Sequence, residues 1–210
     1  MNKELNCEGK INQGLTLYGA GGHCKVVFDI LVSNGLSVER IHDDNPKGQF
    51  FMGVPSSLPS GDYEEAIISI GNCQIRKKIS KKISARKYLI AIHPSAIVSK
   101  YSNIGEGSVV MQGGIIQAGT RIGKHCIINT KASVDHDCKI ADFVHVASGA
   151  TVCGEVEIGE CSWIGAGAVI KQCIKIGSNC MIGAGAVVIK DVPDNAVVGG
   201  NPAKIIRYNN

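Results

Sequence analysis

His136 and Asp137 form an adjacent pair whose chemistry suits proton transfer near neutral pH. An imidazole with an ordinary pKa of about 6.5 can accept a proton, and a neighbouring carboxylate can orient the ring and stabilise its protonated form. His136 is therefore predicted to be a general base that Asp137 orients. Removing a general base typically lowers a rate by roughly 10²- to 10⁴-fold, and we expect a loss of that size in His136→Ala.

Two glycine-containing segments are candidates for binding phosphate groups. In residues 19–23 the glycines precede a predicted helix, and backbone N–H groups at a helix N-terminus bind anions. Near the C-terminus, Gly199 and Gly200 allow a ligand to approach the backbone closely, and Lys204 and Arg207 add positive charge. The sequence thus predicts two separate sites for anionic ligands.

A six-residue repeat dominates the second half of the chain and determines the element that carries His136. Isoleucine or valine occupies every sixth position for sixteen consecutive repeats. This period predicts a β-solenoid, in which three hexapeptides form one triangular turn of about 18 residues. The small residues four positions after most anchors should also face the interior, and the glycines directly after anchors should take positive φ at tight corners. The anchors are Val98, Ile104, Val110, Ile116, Ile122, Ile128, Val134, Ile140, Val146, Val152, Ile158, Ile164, Ile170, Ile176, Ile182 and Val188.

The first ninety residues alternate between strands and helices. Apolar runs predict strands at residues 15–18, 40–42 and 66–70, with helices at residues 23–34 and after residue 72, which is a βαβ pattern. Cys24 replaces the third glycine of a dinucleotide fingerprint, so a complete NAD-binding domain is not expected. Because ligands bind beyond the carboxyl ends of parallel strands, we expect a nucleoside diphosphate sugar at that edge. The residues expected there are Gly21, Gly22, His23, Asp43, Asp44, Gly71 and Asn72.

The second predicted helix carries both an apolar stripe and a basic run. Ile75, Ile79 and Ile83 share one side, which is expected to be buried. Seven basic residues between Arg76 and Lys87 lie mostly opposite that side. Because no aromatic residues interleave with these charges, we predict a solvated helix face and no nucleic-acid binding.

The composition describes a folded chain of 210 residues, 44% hydrophobic and 19% charged, with a net charge of +4. No apolar stretch is long enough to span a membrane, and the polar start lacks the apolar core of a signal peptide, so we expect a cytoplasmic protein without membrane contact. Nine scattered cysteines are expected to be reduced thiols, with no metal. We predict three segments: a polar N-terminal tail (1–14), a nucleotide-sugar-binding domain (15–91) and a β-solenoid that ends in a closing segment (92–210).

The repeats of the form I-G-x-x-x-x resemble those of the hexapeptide acyltransferases, which are trimers of left-handed β-helices. The ending at residues 191–204 is similar to the stretch that closes acyl-CoA sites in that family. A small Rossmann-like domain that opens with G-A-G-G-H at residues 19–23 and precedes such a β-helix resembles the sugar acetyltransferases of the sialic-acid O-acetyltransferase type. Within that group, the chain most resembles the UDP-4-amino-sugar N-acetyltransferases of bacillosamine synthesis, through I-G-N-C-Q-I-R-K-K-I at 70–79 and V-D-H-D-C at 134–138. The resemblance implies an α/β plus β-solenoid fold, with a small Rossmann-like βαβ domain followed by a left-handed parallel β-helix.

The same resemblance implies acetyl-CoA-dependent acetylation of the 4-amino group of a UDP-linked 4-amino-4,6-dideoxy sugar, by direct attack in a ternary complex. His136 would be the base, with Asp137 in place of the family's usual, longer glutamate. Asn129 would lie near the acceptor and His145 near the thioester. The family forms homotrimers, in which His136 of one chain would face the coenzyme on its neighbour. The remaining coenzyme contacts would be Gly154, Ala166 and Ala184 along the pantetheine arm, and Lys204 at the phosphates.

Several alternatives remain open at this stage. The same fold and histidine could serve an O-acetyltransferase of sialic acid or another sugar. A GDP-4-amino sugar is a further candidate, because Asp43 or Asp44 could accept a hydrogen bond from guanine as well as from uracil. A zinc hydratase would use His125, His136 and His145, but their spacings of eleven and nine residues do not stack them in one column. A non-catalytic scaffold would bind CoA without turnover.

Overall fold

The computed structural model describes residues 14–59 and 62–209, so nearly all of the predicted N-terminal tail lies outside the described residues. The first part of the chain forms a six-stranded sheet in the order β3-β4-β2-β1-β5-β6, parallel except for the β3–β4 pair. Its elements are β1 (Leu15–Tyr18), α1 (Gly22–Ser33), β2 (Arg40–His42), β3 (Phe50–Phe51), β4 (Val54–Ser57), β5 (Tyr63–Ile68), α2 (Cys73–Lys82) and β6 (Ala85–Tyr88).

This sheet confirms the predicted Rossmann-like fold. The central strand β1 is buried along its whole length, because α1 covers one of its faces and α2 lies against the other. Helix α1 buries Val27, Ile30 and Leu31, which recur at helical spacing. The carboxyl ends of β1, β2 and β5 therefore meet at one edge, as predicted.

The second part of the chain is a left-handed parallel β-helix, built mostly of two-residue strands that are arranged in three sheets. The first solenoid sheet comprises β7 (Ala91–Ile92), β10 (Val109–Val110), β13 (Ile127–Ile128), β16 (His145–Val146), β19 (Trp163–Ile164), β22 (Met181–Ile182), β24 (Ala196–Gly200) and the antiparallel β25 (Ala203–Tyr208). The second comprises β8 (Ile97–Val98), β11 (Ile115–Ile116), β14 (Ser133–Val134), β17 (Thr151–Val152), β20 (Val169–Ile170) and β23 (Val187–Val188). The third comprises β9 (Asn103–Ile104), β12 (Arg121–Ile122), β15 (Lys139–Ile140), β18 (Glu157–Ile158) and β21 (Lys175–Ile176).

The six-residue anchors behave as predicted, because each is the second residue of a short strand. Residues 18 apart pair in parallel, for example Val110 with Ile128. Most anchors and the small residues four positions later fill one continuous interior, in which Ala132 and Cys138 are almost fully buried. Small side chains are needed here because each triangular coil encloses little space.

The prediction for the glycines that directly follow anchors was wrong. The positive φ angles fall two residues later, at Gly107 (71°) or at non-glycine residues such as Asp137 (57°). Glycines directly after anchors are instead required by close packing between coils. A Cβ at Gly105 would lie 2.6 Å from the backbone of Gly123 in the next coil.

The prediction for α2 was wrong in part. Ile79 is buried, but Ile75 is 49% exposed, whereas Arg76 of the basic run is only 1% exposed. The cause is that α2 packs on two surfaces, the β1–β5 sheet and the solenoid, where Arg76 donates to the carbonyl oxygens of His125 and Phe143.

The three solenoid sheets present different outer surfaces. The first is covered by the N-terminal domain, because Val109 and Ile127 join the cluster that includes α1. The third carries a ladder of charges with an ion pair between Lys139 and Glu157. The second is largely apolar, and Ile97 is 65% exposed. No helix in the described part of the chain is long and apolar enough to cross a membrane.

Candidate active site

His136 and Asp137 lie at the corner between the second and third solenoid sheets. His136 Nδ1 is 3.0 Å from Asp137 Oδ2, so the shorter carboxylate does reach the ring. Because a carboxylate only accepts, Nδ1 carries the proton and Nε2 is left free to accept one. The hydrogen bond to Asp137 raises the pKa of His136 above its ordinary value. The backbone N–H of His136 also donates to Asp135 Oδ1 over 2.8 Å, which further fixes the corner.

Two glycines in the adjacent coils leave room for this pair. Gly154 lies 18 residues after His136, and a Cβ there would be 2.6 Å from Nε2. Gly119 lies 18 residues before Asp137, and a Cβ there would overlap the Asp137 carboxylate. Gly154 was predicted to contact pantetheine, whereas the structure shows it directly against the imidazole. Gly119 was missed by the sequence analysis, although the 18-residue spacing could have found it.

The predicted nucleotide edge forms where β1, β2 and β5 end. Asp43 Oδ2 accepts a hydrogen bond from the backbone N–H of Ala20 over 2.6 Å. This bond connects the loop of Gly21 and Gly22 to the residue that follows β2. Gly21 is the N-cap of α1 without any side-chain cap, and the first turn holds no acidic residue. The helix N-terminus is therefore open toward an anion.

Asp44 lies beside this edge in a small polar cluster that the sequence analysis missed in part. It accepts from the Tyr18 hydroxyl over 2.7 Å and from Lys82 Nζ over 2.8 Å. The bond from Lys82 lowers the pKa of Asp44. Burial, followed by the bond to Asp44, raises the pKa of Tyr18 to about 12, so that hydroxyl stays protonated and donates. Asn72 accepts from the Ile75 N–H over 3.0 Å and caps α2.

A buried line of polar contacts joins the N-terminal domain to the solenoid. His145 Nδ1 is 3.1 Å from the carbonyl oxygen of Gly71, so Nδ1 carries the proton, and Nε2 accepts from Asn129 Nδ2 over 2.9 Å. Burial lowers the pKa of His145 to about 4, which keeps the ring neutral. His145 and Asn129, predicted at the coenzyme and the acceptor, thus lie together against the N-terminal domain.

His23 lies at the start of α1, beside this line. Its ring centroid is 6.3 Å from that of His145, and burial lowers the pKa of His23 to about 3. Its Nε2 atom is buried and, among the described residues, has no hydrogen-bond partner. A buried polar atom without a partner is costly, so it is a natural contact for a ligand group.

The remaining predicted coenzyme residues follow the corner between the first and second sheets. Ala166 and Ala184 are stacked in successive coils, and Asn129 lies at the same corner. Beyond the last coil, Lys204 and Lys190 line a cavity of about 440 Å³ between β23 and the closing hairpin of β24 and β25. This cavity lies where the sequence predicted an anionic ligand.

A single chain does not bring its predicted catalytic and substrate-binding residues together. The N-terminal domain covers the first sheet, whereas His136 occupies the one corner that does not adjoin that sheet. Asn129 lies at a different corner from His136. Within the described part of the chain, no three His, Cys, Asp or Glu side chains are close enough to hold a metal ion. The eight cysteines of that part are free thiols.

Comparison with known proteins agrees with this architecture. Residues 14–83 match the PglD N-terminal domain, and residues 155–190 match the bacterial transferase hexapeptide (six repeats). The solved acetyltransferase domain of PglB from Neisseria gonorrhoeae FA1090 is 37% identical, with a TM-score of 0.84 over 93% of this chain and 100% of that domain. The chain belongs to the PglD-type family of hexapeptide-repeat sugar acetyltransferases.

The chain is also similar to two proteins whose descriptions name a ligand or a nucleotide sugar. PerB from Caulobacter crescentus, solved with CoA and GDP-perosamine, is 35% identical, with a TM-score of 0.84 over 92% of this chain and 97% of that chain. UDP-N-acetylbacillosamine N-acetyltransferase of Bacillus subtilis (strain 168) is 37% identical over 114 residues, which are 47% of this chain and 51% of that protein. The chain spans about half or less of the length of the curated relatives it matches.

Proposed function

We propose that this protein transfers the acetyl group of acetyl-CoA to the 4-amino group of a UDP-linked 4-amino-4,6-dideoxy sugar. The observation that carries the proposal is the His136–Asp137 pair, with Nδ1 held at 3.0 Å from the carboxylate and Nε2 directed over Gly154. Relatives described as N-acetyltransferases of UDP- and GDP-linked amino sugars support the reaction class.

His136 acts as the general base in this proposal. The neutral amine attacks the thioester carbonyl, and a C–N bond forms as His136 Nε2 takes a proton from the nitrogen. The C–S bond then breaks, and the proton is returned to the departing CoA sulfur. Asp137 keeps Nδ1 protonated and stabilises the imidazolium while it exists.

The nucleotide sugar binds at the carboxyl edge of the N-terminal sheet. The open N-terminus of α1 at Gly21 and Gly22 receives the diphosphate. His23 Nε2, which has no hydrogen-bond partner among the described residues, donates to the sugar or its diphosphate. Asp44 offers its remaining lone pairs to a base N–H or a ribose hydroxyl. The names of the relatives include both UDP and GDP derivatives, so the nucleotide is decided by experiment.

Acetyl-CoA lies along the corner of Asn129, Ala166 and Ala184, where small side chains leave a smooth path for the pantetheine arm. The cavity beside Lys204 receives the phosphates, which a primary ammonium group binds as a point charge.

The complete site forms between chains of a homotrimer. In a closed ring each chain contacts its neighbour through two different surfaces. The apolar second sheet lies between the corner of His136 and the corner of Asn129, and its exposed Ile97 and Val169 are suited to burial against other copies. Association through this sheet brings His136 of one chain toward Asn129 and the N-terminal domain of the next.

A substrate panel tests the proposal. Purified protein is mixed with acetyl-CoA and UDP-, GDP- or CMP-linked sugars that carry either a 4-amino group or only hydroxyl groups, and free thiol is measured. We expect turnover with a UDP-4-amino sugar and its loss in His136→Ala. Turnover of the GDP-linked sugars instead would show that the substrate carries GDP and not UDP. Turnover of an acceptor with only hydroxyl groups would show that the reaction is O-acetylation. CoA binding without any turnover would contradict the proposal.

A further inference from the structure

Arg76 is the largest fully buried side chain in the described part of the protein, and it lies between the two domains. Its guanidinium donates four hydrogen bonds, all to backbone carbonyl oxygens. Nε reaches His125 over 2.8 Å and Nη2 reaches Phe143 over 2.8 Å, in two successive coils of the solenoid. Nη1 reaches Ile70 over 2.7 Å and Gly71 over 2.9 Å, in the loop that follows β5.

No carboxylate among residues 14–59 and 62–209 pairs with this buried charge. The four carbonyl partners offset part of the cost of burying Arg76, and burial lowers the pKa of Arg76. A planar guanidinium directs its donors along fixed directions, so it holds the carbonyl groups at set positions relative to one another. The β5 loop is thus held at one position along the solenoid.

The Gly71 carbonyl oxygen accepts a second hydrogen bond. It accepts from His145 Nδ1 over 3.1 Å as well as from Arg76, and His145 in turn accepts from Asn129. One loop carbonyl is therefore fixed by a residue of α2 and by a residue of the first solenoid sheet. This loop forms part of the proposed nucleotide edge, and Asn129 lies at the proposed coenzyme corner.

We propose that Arg76 is a positioning residue that fixes the loop of residues 69–72 against the solenoid, and so sets where the nucleotide sugar binds relative to the acetyl donor. The expected effect on kinetics rests on the proposed function, whereas the expected effect on the position of the loop does not. Arg76 reaches the substrate only through Gly71 and the backbone around it.

Two substitutions and one matched control test this role. Arg76→Lys keeps the charge but has a single donor centre that cannot span the four carbonyl groups, and Arg76→Met keeps the length without any donor. Lys77→Met is the control, because Lys77 is the next residue on α2 and also crosses between the domains, through a partly exposed ion pair of 2.6 Å with Glu160.

The first measurement is amide hydrogen exchange, which needs no substrate. We expect residues 69–72 to exchange at least tenfold faster in Arg76→Lys than in the wild type, with the solenoid core and Lys77→Met unchanged. The second measurement is steady-state kinetics. We expect KM for the nucleotide sugar to rise about tenfold or more in Arg76→Lys, further in Arg76→Met, and KM for acetyl-CoA to change less than twofold.

Unchanged exchange at residues 69–72 in Arg76→Lys would overturn the proposal, as would equal rises in both KM values. If Arg76→Met does not fold, Arg76→Lys supplies the comparison. If the wild type acetylates no amino sugar, the proposed function fails, whereas the exchange experiment still decides whether Arg76 positions the loop.

Discussion

Gly154→Ala tests whether the imidazole of His136 needs the space that this glycine leaves. The added methyl group would lie 2.6 Å from Nε2 and 2.7 Å from Cε1, whereas ordinary contacts are about 3.4 to 4 Å. The ring must therefore move by about 1 Å. It is the end of a half-exposed side chain, so it can rotate away without any backbone shift. The rotation breaks the hydrogen bond between His136 Nδ1 and Asp137, and it moves Nε2 away from its position over residue 154.

If His136 is the base, as proposed, the expected loss in kcat approaches that of removing it, roughly 10²- to 10⁴-fold, or about 3 to 5 kcal/mol in the barrier. Stability should not fall. Gly154 does not have a positive φ, and glycine-to-alanine changes at compatible positions stabilise by about 0.4 to 1 kcal/mol. Activity and thermal stability are therefore expected to change independently.

The assay is the release of CoA thiol with the amino sugar that the panel identifies, together with the melting temperature. Gly48→Ala is the matched control, because its Cβ would make only one ordinary contact, at 3.9 Å. Combining Gly154→Ala with His136→Ala should be no worse than His136→Ala alone, since both are expected to remove the proposed base. Full kcat in Gly154→Ala would refute the reasoning. A raised KM for acetyl-CoA with unchanged kcat would assign Gly154 to the pantetheine arm instead.

Three further outcomes follow from the same geometry. In Asp137→Asn the pKa of His136 should fall, because the hydrogen bond to the carboxylate is lost. The acid limb of the pH profile of kcat/KM should then move to lower pH, and its plateau should drop. An acid limb at the wild-type pH would contradict the proposed role of Asp137. Burial lowers the pKa of His145 to about 4 and that of His23 to about 3, so the unfolded chain binds protons that the folded chain does not. The free energy of unfolding should therefore fall as pH drops from about 6.5 to about 4, by up to about 1.4 kcal/mol per pH unit for each ring. Melting curves of the wild type and of His145→Gln measure this effect. If both proteins show the same pH dependence, the expectation is contradicted. If the site lies between chains, mixed trimers of inactive His136→Ala and His23→Ala chains should regain about a quarter of wild-type activity by random assortment, and no recovery would argue for a site within one chain.

The solenoid could be predicted from sequence because its constraint is local and repeated. Each coil encloses a space that admits one anchor and one small residue per side, so a departure such as a charged residue at the Val134 position would cost stability at once. The role of the glycines could not be predicted in the same way. A glycine that takes positive φ and one that lets the next coil approach look identical in sequence, and only the packing between coils distinguishes Gly107 from Gly105.

The environment of Arg76 was mispredicted for a related reason. Helical periodicity identifies a stripe that faces one neighbour, and for α2 that neighbour is the sheet. A second neighbour, the solenoid, is formed by residues about 50 to 70 positions away. Contacts of such sequence separation depend on how the domains pack, so the pattern of charges around Arg76 could not reveal that this residue was buried while Ile75 was exposed.

The backbone conformation at Asp137 explains how its short side chain reaches His136. Asp137 is one methylene shorter than the glutamate that the resemblance implies, so residue type alone does not show whether the carboxylate reaches His136. Its φ of 57° turns the backbone at the corner, and its carboxylate lies over Gly119, where a Cβ would overlap it. A shorter side chain therefore reaches Nδ1 because the left-handed turn and the glycine beneath it together bring the carboxylate back toward the ring. A substitution at either Gly119 or Asp137 is consequently expected to alter the hydrogen bond to His136 Nδ1, and with it the proposed proton transfer.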